Sequence, residues 1–302
     1  MATQEEGTGL STYAGAGTRR SWSPWKTITG FLVNKPLGAA GAAIIIVMSI
    51  MAVAGDLISF YDPVEWNLRD KLVGPNLNHW LGTDQMGRDL WSRMMIGARV
   101  SLLVGFASVA FGSGLGGVLG IISAWFGGRV DQITQRLMDT LMAIPTLILA
   151  LAVTAALGQS LFFIIFAIGI VQIPRANRVV RSQALSIKEA QFVDAARALC
   201  AGNIRIMFSH IMPQCVAPWL IISTGALGIA ILTEATLSFL GLGVPPPAPS
   251  WGGMLSGPAR DYFVVAPWMA IWPGLALTLA VYGFNLFGDA LRDVLDPRLR
   301  GV

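Results

Sequence analysis

Phosphate chemistry needs a cradle of backbone amides, and a P-loop builds one by placing glycine directly before its lysine. The four lysines of this chain follow Trp25, Asn34, Asp70 and Ile187, so none can serve in that way. Gly112-Ser113-Gly114-Leu115-Gly116-Gly117 matches G-x-G-x-x-G, but it lies inside an apolar run with no strand ahead of it. Gly112, Gly116 and Gly120 instead form a small-xxx-small ladder, which lets two helices approach closely in a membrane. Ser113 as a nucleophile would need a histidine within reach. The two histidines, His79 and His210, fall outside every apolar run and on opposite sides of it, which also excludes a metal site built with Cys200 and Cys215. Two cysteines are too few for a disulfide framework. Catalysis on this chain is therefore not expected. Glu234 stands apart as the one acidic residue between Ile211 and Asp261. An ionisable group at the edge of an apolar run is a candidate for a pore or outer gate, or else it caps the external end of its helix.

The elements that carry these residues follow from composition. A soluble domain has about a quarter of its residues charged. Here the figure is 13% of 302 residues, hydrophobic residues reach 54%, and the mean hydropathy is +0.62. Disorder, a coiled coil and an ordinary cytosolic enzyme are excluded, and an all-α polytopic membrane protein remains. Charge-free runs extend from Pro36 to Gly55, Val100 to Gly128, Thr140 to Pro174, Ile211 to Thr233 and Tyr262 to Gly288. About 20 helical residues cross a bilayer core, so four of these are single spans. The third contains Gly158-Gln159-Ser160 and reads as two short spans joined by a turn, giving six. Ala52-Val53-Ala54 resembles a signal-peptidase site, but the polar tail and span-length core before it predict an uncleaved anchor.

With both termini in the cytoplasm, fifteen Lys and Arg residues fall inside and six outside. That asymmetry accounts for the net charge of +4 without a nucleic-acid partner. The chain divides into a flexible cytoplasmic tail at 1–35, a first span with a long external loop at 36–99, a five-helix core at 100–288 and a cytoplasmic tail at 289–302. Within the core, 175–213 forms a cytoplasmic segment. There Phe192, Ala195, Ala196 and Leu199 recur on one helical face, and Lys188, Gln191, Asp194 and Arg197 on the other. Gly202-Asn203 is a natural turn before a second short helix leading to Pro213. Periodicity alone leaves open whether the alanine face packs on its own protein or on another.

Asp194-Ala195-Ala196, three residues, Cys200, nine residues, and His210-Ile211-Met212-Pro213 resemble the EAA loop of binding-protein-dependent ABC importer permeases. The usual form there has Glu, Gly and Leu where this chain has Asp194, Cys200 and Met212. Leu81-Gly82-Thr83-Asp84-Gln85-Met86-Gly87-Arg88-Asp89 with Ser92-Arg93 is similar to the dipeptide and oligopeptide branch. So are Glu234 to Gly243 with Trp251-Gly252, Gly283 to Asp293, and Asp296-Pro297-Arg298. The resemblance covers about Ala39 to Gly301 and points to the second, C-type, permease subunit.

The resemblance implies a type I importer permease fold and a heteromeric complex. Its partners would be a homologous permease, two cytoplasmic ATPases that hold the ATP and Mg, and an external solute-binding protein. It implies that Phe192, Asp194, Ala195, Ala196, Leu199, Cys200 and Pro213 couple to an ATPase, and that this chain needs no cofactor. Arg88, Asp89 and Trp251 are candidates for docking the external protein, with Pro245-Pro246-Pro247 stiffening the loop. Equally, Arg88, Asp89 and Arg93 could form a local ion-pair cluster. The competing reading is an ATP-independent secondary transporter or channel, which would need ionisable groups inside its spans.

Overall fold

The computed structural model describes residues 35–295, and the expectations for the rest of both tails lie outside them. Among the described residues the chain is helical and has no named strand. Helix α1 spans Pro36–Ile58, α2 Leu90–Phe126, α3 Gly128–Ala143, α4 Thr146–Leu157 and α5 Leu161–Lys188. Then come α6 at Gln191–Ala198, α7 at Asn203–Phe239, α8 at Trp251–Leu255, α9 at Pro258–Asp261 and α10 at Trp268–Leu295. Five of these are long and apolar enough to cross a membrane. The sixth crossing requires α3 and α4 together, bent by 93°.

That bend corrects the expected third span. The turn at Gly158-Gln159-Ser160 is where the sequence placed it, with Ser160 capping α5 through Phe163 N–H. The segment before it is not one straight helix, because Pro145 lacks an amide proton and forces Ile144 out of the helical region to φ −91°, ψ 129°. Helix α4 alone has 12 residues, roughly 18 Å at 1.5 Å each, too short to cross. Asp139 therefore lies in the amphipathic arm α3, where it pairs with Arg178 at 2.7 Å, and the bidentate pair of Asp131 with Arg181 ties the same arm to α5.

Helix α2 is the axis of the molecule. It starts ten residues before the predicted span, inside the loop that follows α1, and packs most extensively against α5. The glycine ladder makes that contact possible. A methyl group on Gly112 would strike the Gly169 carbonyl, and one on Gly116 would strike the Ile173 carbonyl. Both obstacles are backbone and cannot turn aside. Gly116→Ala is therefore expected to cost about 1–3 kcal/mol by forcing the helices apart, which thermal unfolding in detergent would register, whereas Gly114→Ala, facing open space, should be neutral. Gly112 and Gly116 thus pack helices together.

The second short helix, expected before Pro213, also differs from expectation. It does not stand alone: Asn203–Phe239 runs as one helix of 37 residues, passing through a π turn at Met207–Ile211. Pro213 cannot donate the next helical hydrogen bond, and the wider turn just before it absorbs the mismatch, with Met212 N–H reaching back to the Met207 carbonyl. At the other end, residues 175–188 continue α5 instead of belonging to a loop.

Candidate functional site

Helix α6 is held between α5 and α7 as a short crosspiece. Val193 and Ala196 are buried in a cluster with Ile121, Ala124, Trp125, Ile187, Ile206 and Met207, which joins the crosspiece to three long helices. Lys188 fastens the junction by donating to the Ala124 and Trp125 carbonyls at 3.2 and 2.9 Å, where the end of α2 leaves acceptors without helical partners. The Arg197 guanidinium lies 4.9 Å from the centroid of the Trp125 ring.

The expected faces of α6 are thereby revised. Ala196 does not share a face with Phe192, Ala195 and Leu199: it turns inward beside Val193, while those three are exposed, Leu199 at 84%. Positions 192, 195 and 199 follow one another at helical spacing, so they make one outward stripe. Asp194, also exposed, pairs with Arg197 at 3.0 Å. Pro213 is exposed and lies in the first turn of the α-helical part of α7 that follows the π turn.

Cys200 ends the crosspiece with φ +56°, the left-handed conformation that glycine adopts freely. Gly202 does not take over that role, since it is extended (φ −66°, ψ 153°) and opens α7. An L-residue pays about 1–2 kcal/mol in this region. Glycine would return about 0.4–1 kcal/mol through the freedom of the unfolded chain. The first effect is the larger, so Cys200→Gly should stabilise the chain by about 0.5–1 kcal/mol, measurable as a raised unfolding midpoint.

On the other side of the molecule, the loop between α1 and α2 folds around Asp84 and Asp89. Asp84 accepts from the amides of Met86 and Arg88 and from Arg88 Nε at 2.6 Å, with Arg93 Nε 3.7 Å away. Asp89 caps α2 through Ser92 N–H and Oγ, both at 2.8 Å, and holds His79 Nδ1 at 2.9 Å. Gly87 has φ +72° and backs onto the Asn67 carbonyl, which leaves no room for a side chain. The expected cluster forms with other partners: Arg88 and Arg93 gather on Asp84, while Asp89, 3% exposed, pairs with His79. Trp251 is not an outward anchor either. It is fully buried, its ring nitrogen donating to the Met94 carbonyl at 3.1 Å and its amide to Ser101 Oγ at 3.2 Å.

Ser101 connects Trp251 to Glu234. The carboxyl of Glu234 is fully buried among hydroxyls, accepting from Ser238 Oγ at 2.8 Å and Ser101 Oγ at 3.4 Å, with Ser250 also against it. Next to it Gly252 sits so close to the Ala235 backbone that a methyl group would collide with it. Glu234, four serine-bearing or indole groups and this close contact pin the short helix α8 to α2 and α7.

The family model described as binding-protein-dependent transport system inner membrane component matches residues 116–301. The chain belongs to this family. Among its relatives are a dipeptide transport system permease protein of Alkalihalophilus pseudofirmus, 41% identical over 92% of this chain and 91% of its own. A glutathione transport system permease protein of Pectobacterium atrosepticum is 38% identical over 92% of both chains. A peptide transport system permease of Brucella suis is 44% identical over 86% of this chain and 87% of its own. The protein is an ABC importer permease of the peptide branch, a multi-pass membrane protein.

Several working residues of this permease escaped the motifs. Val193, the inner anchor of the crosspiece, and Lys188 with Trp125, which lock it to α2, lie in the sequence as an ordinary apolar residue and an ordinary charge-aromatic pair. Asp89-x-x-Ser92 did carry a signal, the spacing of a helix cap, ten residues ahead of the apolar run. Ser101 had none. A serine in a membrane helix usually indicates small size, and its link to Glu234 spans 133 positions.

Proposed function

We propose that this permease and a homologous subunit form the gated path of an importer for peptides or similar small solutes, delivered by an external binding protein. Two cytoplasmic ATPases hold and hydrolyse ATP with Mg, and one of them docks on α6. Both termini lie in the cytoplasm of a bacterial or archaeal cell, with the chain in its inner membrane. The printed names of the dipeptide, peptide and glutathione relatives support the solute class.

One observation carries the reading. Phe192, Ala195 and Leu199 present an outward apolar stripe on a crosspiece whose other face is locked to α2, α5 and α7. A partner seated on that stripe can displace three membrane helices as a rigid body, which is what alternating access requires. Among the described residues Glu234 is the one buried carboxylate within the long apolar helices, and it is satisfied by hydroxyls of serine side chains. This favours ATPase coupling over an ion-driven transporter.

Purification from membranes that express the chain with its neighbouring transport genes tests the proposal. ATPase subunits should co-purify with it, and the solute-loaded binding protein should accelerate their ATP turnover. Recovery of a transport-active chain without any ATPase would overturn it.

A further inference from the structure

The folded external loop and the segment between α7 and α9 enclose a cavity of about 380 Å³. Its wall draws on Asp84, Arg88 and Arg93, on Gln159 from the turn between α4 and α5, and on an apolar side made by residues such as Met254 and Pro247. The space would hold roughly a dozen waters, or a solute the size of a short peptide. Its charges do not balance. Two guanidinium groups line it, and Asp84 is the one acid among the lining residues.

The ion pairs do not consume the arginines. Arg88 gives Nε to Asp84 at 2.6 Å, and Arg93 gives Nη1 to the Pro63 carbonyl at 2.8 Å, while its approach to Asp84 is 3.7 Å. Asp84 already accepts two backbone amides in addition. A guanidinium carries five N–H donors in a planar fork that matches a carboxylate. Arg93 is only 7% exposed, so its excess charge sits where water compensates it poorly, and an arriving anion would relieve that cost. The depth of the arginines favours a small molecule over a second protein, whose rim contacts would meet exposed charges first.

We infer that this cavity is a binding site for a small carboxylate-bearing solute with a partly apolar body, such as the free carboxyl end of a short peptide, held by Arg88 and Arg93. The choice of solute rests on the peptide-importer reading. The site itself lies on the external side of the chain in the proposed orientation, where a solute would pass before entering the spans.

Cysteine protection measures occupancy without transport. Met86→Cys places a thiol in the wall, and Cys200→Ser removes the exposed native thiol, Cys215 being buried. The assembled transporter in lipid nanodiscs, without binding protein or ATP, is labelled with a maleimide in the presence of millimolar N-acetylalanine or its carboxamide. The acid is expected to slow labelling roughly threefold, as occupancy at a few times the dissociation constant dictates, and the amide to have no effect. Arg88→Gln and Arg93→Gln, tested separately so that one can report if the other misfolds, should each abolish protection, read as the ratio of labelling rates with and without the acid in the same variant. Equal protection by acid and amide, absence of protection, or protection that survives both glutamine variants would overturn the inference. Loss of labelling on assembly would also overturn it, by showing that another subunit fills the cavity. A failure of ATPase co-purification would instead bear on the importer reading alone.

Discussion

Ala195→Trp should abolish solute-stimulated ATP turnover in the assembled transporter while the chain itself remains folded. Ala195 is exposed in the middle of the stripe made with Phe192 and Leu199, so an indole there meets nothing within the chain and obstructs whatever seats on it. A misfitting group at the centre of an interface typically costs 2 kcal/mol or more, about thirtyfold in affinity. Ala196→Phe separates docking from folding. Ala196 is buried against the cluster that locks α6 in place, so the larger side chain should destabilise the chain by about 1–3 kcal/mol before any partner is involved. The two variants are distinguished by unfolding midpoints in detergent, unchanged for the first and lowered for the second, measured beside ATP turnover with and without loaded binding protein. A normal solute response in folded Ala195→Trp would remove α6 as the docking element.

The contrast between these neighbours also marks what the sequence makes legible. The membrane spans were readable because lipid demands long apolar runs and excludes unpaired charge, a requirement that depends on each segment alone. Helix α6 was readable as a helix, but the side it buries was not. Alanine is small enough for either side, and the deciding residue, Val193, stands outside the apolar repeat on which the prediction relied. The bend at Ile144 has a local cause in Pro145, whereas the arm before it is tied down by ion pairs to Arg178 and Arg181 from a later helix, which no local pattern announces. Trp251 failed for a similar reason. A tryptophan after four prolines in an external segment has the composition of an exposed anchor, and its burial depends on the Met94 carbonyl and Ser101 of α2, about 150 positions away.

That burial yields the second large effect. Trp251→Ala is expected to lower stability by about 3–5 kcal/mol, because a fully enclosed indole leaves a cavity that backbone contacts around Gly252 prevent from closing. Trp251→Phe keeps most of the filling and loses one hydrogen bond to the Met94 carbonyl, which should cost about 1 kcal/mol. Glu234 supplies the complementary test. Glu234→Gln retains one acceptor oxygen for Ser238 and presents an amide N–H to Ser101, whose hydroxyl oxygen can accept it, and should stay close to wild type in both stability and transport. Glu234→Leu withdraws that acceptor. Ser238 and Ser101 can each then turn to the carbonyl four residues earlier in their own helices, so what is lost is the hydrogen-bonded tie between the helices, about 0.5–1.5 kcal/mol for the bond to Ser101. If Glu234 works as the latch of α8, Trp251→Ala and Glu234→Leu share a signature: ATP turnover that no longer depends on solute, since the external segment has lost its tie to the helices that α6 moves. A transport defect in well-folded Glu234→Gln would point instead to a carboxylate acting on the path itself, because the amide preserves the latch and removes only the ionisable group.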